Sequence, residues 1–200
     1  MSADVSLIAG CEEGLRIPGL TLNHDWIGKA EEGQLLEHVD GGRWRNDLKR
    51  RVQHYGFRYD YRARFVSPAD YLGPLPGWLA DLAGHLVDNG LFSKVPDQVI
   101  VNEYLTGQGI SAHIDCVPCF GDTIAILSLG CPVVMTFQCA ASGARCEMVL
   151  PACSLLGLSG SARYDWLHGI PARKSDTIND MKTQRLRRVS LTFRSIIIGA

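Results

Sequence analysis

Charge of one sign is what this 200-residue sequence most lacks: its formal net charge is -1 at pH 7. Composition therefore announces neither a nucleic-acid nor a membrane partner, and any basic surface must be local. It has no apolar run of the roughly 20 residues needed to cross a bilayer. The opening residues MSADVSLIAGCEEGLRIPG carry no basic leader, and Cys11, Glu12 and Glu13 interrupt their apolar stretch, which argues against a secretory signal. Low-complexity segments and internal repeats are absent. A second C-x-x-C pair to match Cys116 and Cys119 is missing as well, so the spacing of a structural zinc site is not met. The seven cysteines, an odd number, suit reduced thiols better than a disulfide framework. These absences lead to the expectation of a soluble, intracellular, cytoplasmic monomer that makes no membrane contact.

What is present is enough apolar content, 46%, for one core and one domain over residues 1–200. The first half reads as helix and loop. Asn23 is positioned to cap a helix over 24–39, closed by Asp40, Gly41 and Gly42. A second helix is predicted from Pro76 to Asn89, with Leu79, Leu82, Ala83, Leu86 and Val87 at helical spacing and Gly90 as its stop. From Gln98 the pattern changes to short β-branched runs: QVIVNEYL, DTIAILSL, PVVMTFQ, RCEMVL, SLLGL and RVSLTFRSIII. Strands at this spacing predict a sandwich or closed barrel, giving an α+β chain with its helices at the N-terminal side. Residues 171–184 are polar and read as a surface loop.

Residues 43–65, RWRNDLKRRVQHYGFRYDYRARF, stand out from the neutral background. Eight Arg and Lys side chains are offset only by Asp47 and Asp60, with Trp44, Tyr55, Phe57, Tyr59 and Tyr61 threaded among them. Basic groups neutralise phosphates while aromatic faces stack bases, so the pattern fits a nucleic-acid surface. It fits a solvated charged face with aromatics turned inward equally well, and composition does not separate the two.

Alternate side chains of a strand share a face, so His113 and Asp115 in SAHIDC can reach one metal ion. One distant histidine would complete the two-histidine, one-carboxylate triad, which leaves iron positions open for a cosubstrate and O2. H-x-D alone is weak in a chain with six histidines. His168 strengthens it, lying in WLHGIP where Gly169 and Pro171 mark a turn, whereas His24, His38, His54 and His85 have no comparable setting. On the last run, Arg188, Ser190, Thr192 and Arg194 alternate with Val189, Leu191 and Phe193. Two guanidiniums on one face suit a dicarboxylate, although such a pair is also common at a solvated rim. Asn102 and Tyr104 share a strand face and can hydrogen-bond a carboxylate or keto oxygen.

With these motifs in order, the chain resembles the AlkB family of oxidative demethylases and hydroxylases from about Arg51 to Ile197. N-x-Y is Asn102–Tyr104, H-x-D is His113–Asp115, the distal H-G-I is His168–Ile170, and the arginine pair is Arg188 and Arg194. QHYGFRYDY, FGDTI, SGSARYDWLHGI and RRVSLTFR look like the branch holding bacterial repair members and the tRNA-wobble hydroxylase. The resemblance implies a double-stranded β-helix, or jelly-roll, with flanking N-terminal helices. It implies Fe(II) on His113, Asp115 and His168, the distal carboxylate of 2-oxoglutarate on Arg188 and Tyr104, and Asn102 and Arg194 near the chelating carboxylate.

Residues 43–65 would then be the nucleotide-recognition lid, with Arg51, Tyr55, Tyr59, Val117 and Arg163 as candidate base contacts on single-stranded DNA, RNA or tRNA. The implied activity is oxidative demethylation of alkylated bases, consuming O2 and releasing succinate, CO2 and formaldehyde. Wobble-uridine hydroxylation is the alternative, protein demethylation a weaker one, and a non-catalytic metal- or RNA-binding jelly-roll belongs to a different class. Two positions depart from the family pattern. Ser190 stands where the final strand usually has Asn, and Val117 stands where repair members carry an acid facing a cationic base. Cys116, beside the metal aspartate, is expected to pack structurally.

Overall fold

The structure is a computed structural model and describes residues 16–46 and 48–198. The leader reading of the first fifteen residues, Cys11 and Asp47 lie outside that range. Among the described residues the strands and α-helices follow in the order β1 (Leu20–Asn23), α1 (Lys29–Gly41), β2 (Val52–Tyr55), α2 (Gly77–Asp88), β3 (Gln98–Tyr104), β4 (Ile110–His113), β5 (Phe120–Gly130), β6 (Val133–Cys139), β7 (Arg145–Leu150), β8 (Leu155–Leu158), α3 (Gly160–Tyr164), β9 (Trp166–Ile170), β10 (Ser175–Ile178), β11 (Met181–Gln184) and β12 (Arg188–Ile196). A six-stranded sheet runs β1-β8-β5-β12-β3-β2, and a four-stranded sheet runs β4-β9-β6-β7. All pairings in both are antiparallel, giving the expected jelly-roll.

Period-two alternation on β12 builds the two sides of the large sheet. Val189, Leu191 and Phe193 are fully buried against Leu35, Val39, Leu79, Leu82 and Leu86 of the two long helices. Arg188, Ser190, Thr192 and Arg194 therefore point the other way, into the space between the sheets. Neighbouring β3 repeats the pattern, with Val99 and Val101 under the helices and Ile100, Asn102 and Tyr104 facing inward. Antiparallel register sets Arg188 opposite Tyr104 and Ser190 opposite Asn102. Thus apolar residues that fix the helices also fix the direction of every polar residue in between.

The second helix lies where its periodicity predicts, preceded by Pro76 at φ -62° and followed by Gly90 at φ +72°. The first begins later than predicted. Asn23 closes β1, paired with Leu155, and the N–H groups of Trp26 and Ile27 donate to the Cys153 carbonyl, which keeps them out of a helical ladder. The predicted loop over 171–184 is instead the β10–β11 hairpin. Its turn residues Asn179 and Asp180 both have positive φ, 50° and 62°, the geometry that a two-residue hairpin connection favours. Asp176 anchors it, buried and bonded by Arg173 and Arg185. Reduced cysteines throughout are not what the structure has. The turn after Asp115 brings the Cα atoms of Cys116 and Cys119 to 5.3 Å and the two are bonded to each other, while Cys131, Cys139 and Cys153 form no disulfide. No helix among the described residues is long and apolar enough to cross a membrane.

Candidate active site

β4 and β9 pair so that His113 lies directly opposite His168, with ring centroids 4.6 Å apart. That close approach requires Gly109 ahead of β4, where a Cβ would come within 2.2 Å of the Ile170 carbonyl oxygen. Asp115, two residues beyond the strand, turns its carboxylate back. Its Oδ1 is 3.3 Å from His113 Nε2, and its Oδ2 accepts from Arg194 Nε at 2.9 Å. One donor atom each from His113, Asp115 and His168 fall within 4.8 Å of one another. His113 Nδ1 lies 2.8 Å from the Ser111 carbonyl, so donation there leaves Nε2 for a metal.

Protonation states suit ligation. Burial pushes His168 down to about 4, against the pull of Asp115, so its imidazole is neutral near pH 7. Burial opposes ionisation of Asp115, yet the Arg194 guanidinium and the two histidines outweigh it and hold the carboxyl well below its usual range. Two imidazoles and one ionised carboxylate are a donor set that fits Fe(II) with positions left open.

Beside the triad, a cavity of roughly 980 Å3 between the sheets is lined by Asn102, Tyr104, Arg188, Ser190, Thr192 and Arg194 along with the three ligands. Arg188 is 2% exposed. Its Nη2 donates to Ser128 Oγ at 2.9 Å, but Nε and Nη1 are buried with no hydrogen-bond partner among the described residues. The guanidinium carbon sits 5.5 Å from the Tyr104 ring centroid. Burial without a carboxylate lowers this arginine to about 10. Two orphaned donors aimed into a cavity fit one end of a dicarboxylate cosubstrate.

The candidate base contacts divide. Tyr59 lines the cavity; Arg51, Tyr55, Val117 and Arg163 do not. Arg51 stacks on Trp44 at 4.3 Å and bonds Glu103. Tyr55 donates to Gln53 and meets Trp78 edge-on. Val117 is 47% exposed. Arg163 is 2% exposed, and its fork is spent on the carbonyls of Asp115, Cys116, Phe120 and Gly121. Residues that the motif reading did not single out, Lys49, Arg50, Tyr61 and Arg64, do line the cavity. Only their membership of the basic aromatic run could have marked them.

Arg51 and Arg187 together hold the carboxylate of Glu103, 2% exposed on β3. Burial raises Glu103, but those two guanidiniums outweigh it and leave the carboxyl below its ordinary 4.5. Such a group stabilises the fold fully above its unfolded pKa and stops doing so as pH falls through the lower folded value. Glu103→Gln is therefore expected to cost about 1–2 kcal/mol near neutral pH, discounted for the partial exposure of both arginines. Denaturant titrations of the two proteins should stay apart above pH 4.5 and converge below it; a pH-independent gap would refute the ion-pair account.

The sequence pattern of the 2OG-Fe(II) oxygenase superfamily matches residues 19–194. The chain is 40% identical to the "Alkylated DNA repair protein ALKBH8 homolog" of Arabidopsis thaliana, over 96% of this chain and 61% of that protein. It is also 40% identical to the "tRNA (carboxymethyluridine(34)-5-O)-methyltransferase ALKBH8" of Macaca fascicularis, over 90% of this chain and 30% of the other. It thus spans less than two thirds of either. The solved structure of OsALKBH1 superposes at a TM-score of 0.68 and 18% identity, covering 90% of this chain and 98% of that one, a likeness of fold. Joined to the His113–Asp115–His168 cluster and the cavity beside it, these matches mean that the chain belongs to the 2OG-Fe(II) oxygenase superfamily as an AlkB-like dioxygenase using Fe(II), 2-oxoglutarate and O2.

Proposed function

We propose that this oxygenase oxidises a modified nucleic-acid base presented single-stranded or flipped out, and that the base is neutral rather than cationic. The observation that carries the reading is the cavity's one-sided charge among the described residues. Lys49, Arg50 and Arg64 line it in addition to Arg188 and Arg194, and the only acid among the described lining residues is Asp115, which is bonded to Arg194 and belongs to the metal cluster. A cationic base such as 1-methyladenine or 3-methylcytosine would meet like charge and no acceptor carboxylate. Tyr59 and Tyr61 offer aromatic faces for a neutral ring, and Lys49 and Arg64 offer partners for the adjoining phosphates.

The metal and cosubstrate supply the oxidising power: O2 and 2-oxoglutarate are consumed, and succinate, CO2 and a hydroxylated carbon result. The protein's part is geometric. His113, Asp115 and His168 would hold iron on one side, Arg188 would fix the far carboxylate, and the enclosing sheets would keep bulk water away. Demethylation with loss of formaldehyde and hydroxylation of a wobble-uridine side chain are this reaction on different carbons. The cationic lining favours the second, and a relative acting on carboxymethyluridine in tRNA agrees with it. A purely metal- or RNA-binding barrel is disfavoured by Arg188, whose unpaired buried donors serve no such role.

Protein purified anaerobically and loaded with Fe(II) should release succinate at least about tenfold faster with total tRNA than with oligonucleotides carrying 1-methyladenine or 3-methylcytosine, one unfavourable polar contact being worth about that much. Mass spectrometry of the bases should show added oxygen. Equal or faster turnover of the cationic lesions would overturn the neutral-base reading and return oxidative demethylation to first place.

A further inference from the structure

Arg50 belongs to the basic run, between a helix and β2, yet it reaches into the cosubstrate cavity. Its Nε donates to Asn102 Oδ1 at 2.9 Å, and its guanidinium carbon lies 5.8 Å from the centroid of the Tyr104 ring, the same ring that Arg188 approaches at 5.5 Å. No carboxylate bonds it among the described residues, in contrast with Arg51, Arg58 and Arg187. An arginine only donates, so the Asn102 amide must turn its oxygen towards Arg50. Its Nδ2 is then left as a donor on a residue that is 6% exposed and lines the cavity.

We infer that Arg50 is a positioning residue for 2-oxoglutarate: it locks the Asn102 amide so that the NH2 group, not the oxygen, is offered to the cosubstrate carboxylate. Free of Arg50, the amide could present either edge, and its oxygen would repel a carboxylate. The same contact adds a side-chain tie between the segment expected to grip nucleic acid and the cosubstrate pocket, next to the backbone pairing that sets Val52 opposite Asn102. The inference rests on the chain being a 2-oxoglutarate oxygenase but not on which base it oxidises.

Calorimetric titration of 2-oxoglutarate into Mn(II)-loaded protein, without O2 or nucleic acid, tests it apart from turnover. Arg50→Ala should weaken binding about tenfold, the worth of one charge-assisted hydrogen bond. In turnover with tRNA the same variant should raise KM for 2-oxoglutarate and leave kcat within about twofold, while Arg50→Lys recovers part of the loss. The deciding measurement is the double-mutant cycle: in an Asn102→Ala background, Arg50→Ala should add almost nothing. Additive losses, or unchanged affinity in Arg50→Ala, would overturn the assignment. A melting temperature that falls while affinity holds would do so too, marking Arg50 as merely structural. The calorimetric outcomes, the double-mutant cycle among them, do not depend on the neutral-base reading.

Discussion

Arg188→Met is expected to abolish 2-oxoglutarate binding and, in the same protein, to raise the melting temperature measured without cosubstrate. Both effects come from one uncompensated charge. The buried Arg185 after β11 has Asp176, and Arg194 has Asp115, whereas Arg188 has a single neutral partner, Ser128, and two donors with none among the described residues. Its lowering to about 10 is the signature of that burial. A buried charge without an opposite one is a standing cost, and a hydrophobic side chain of similar length removes it. We expect about 1–2 kcal/mol of added stability, or some 2–8 °C for a domain of this size. The cost is repaid when a carboxylate arrives, so the variant should bind 2-oxoglutarate at least about a hundredfold more weakly. Calorimetric unfolding and titration into Mn(II)-loaded protein measure the two halves. Undiminished succinate release would sink the cosubstrate assignment, and a lower melting temperature would sink the account of an uncompensated buried charge.

How much of this was legible in the sequence depends on the range of the interactions involved. The alternation of Arg188, Ser190, Thr192 and Arg194 with three apolar residues was visible because a strand's two faces are written two residues apart. His113 and Asp115 were visible for the same reason, and α2 because its capping proline, apolar stripe and terminal glycine are all local. Four-residue strands such as β2 and β4 carry too few positions to show a period. The β10–β11 hairpin did carry a signal, the Asn179–Asp180 turn, which overall polarity concealed. The late start of α1 depends on a carbonyl at Cys153, about 130 residues downstream.

The basic segment is the clearest case of what composition cannot decide. Arg50 and Arg51 are adjacent and identical in type, yet the alternation of the chain entering β2 sends one into the cosubstrate cavity and the other to Glu103 and Trp44. Both acceptors sit on β3, at neighbouring positions facing opposite sides of the sheet. Sequence marks the segment as basic and aromatic; only the register of β2 on β3 tells which cation grips a ligand and which one closes an ion pair.

Arg163→Ala should be the most damaging single change away from the ligands themselves. The loop from Asp115 to Gly121 must turn sharply enough to aim the Asp115 carboxylate back at two histidines, and in turning it gathers four carbonyl oxygens around one point. Arg163, delivered by α3, fills that point: Nη1 donates to Asp115 O at 3.0 Å, Nη2 to Cys116 O and Phe120 O at 3.3 Å each, and Nε to Gly121 O at 3.2 Å. Alanine would leave buried acceptors unsatisfied, a loss of about 3–5 kcal/mol, which for this size of domain is roughly 10 °C in melting temperature. Lysine should rescue little, since a single ammonium with three hydrogens cannot replace a planar fork that spans four acceptors. Because one of those acceptors is the carbonyl of the metal-binding aspartate, the effect should reach the metal. Mn(II) titration at 10 °C, where the variant is still folded by circular dichroism, is expected to show affinity lowered about tenfold or more, as for other residues that orient a metal ligand from behind. Normal metal affinity in the folded variant would mean that the loop holds its shape unaided, and that Arg163 serves stability alone.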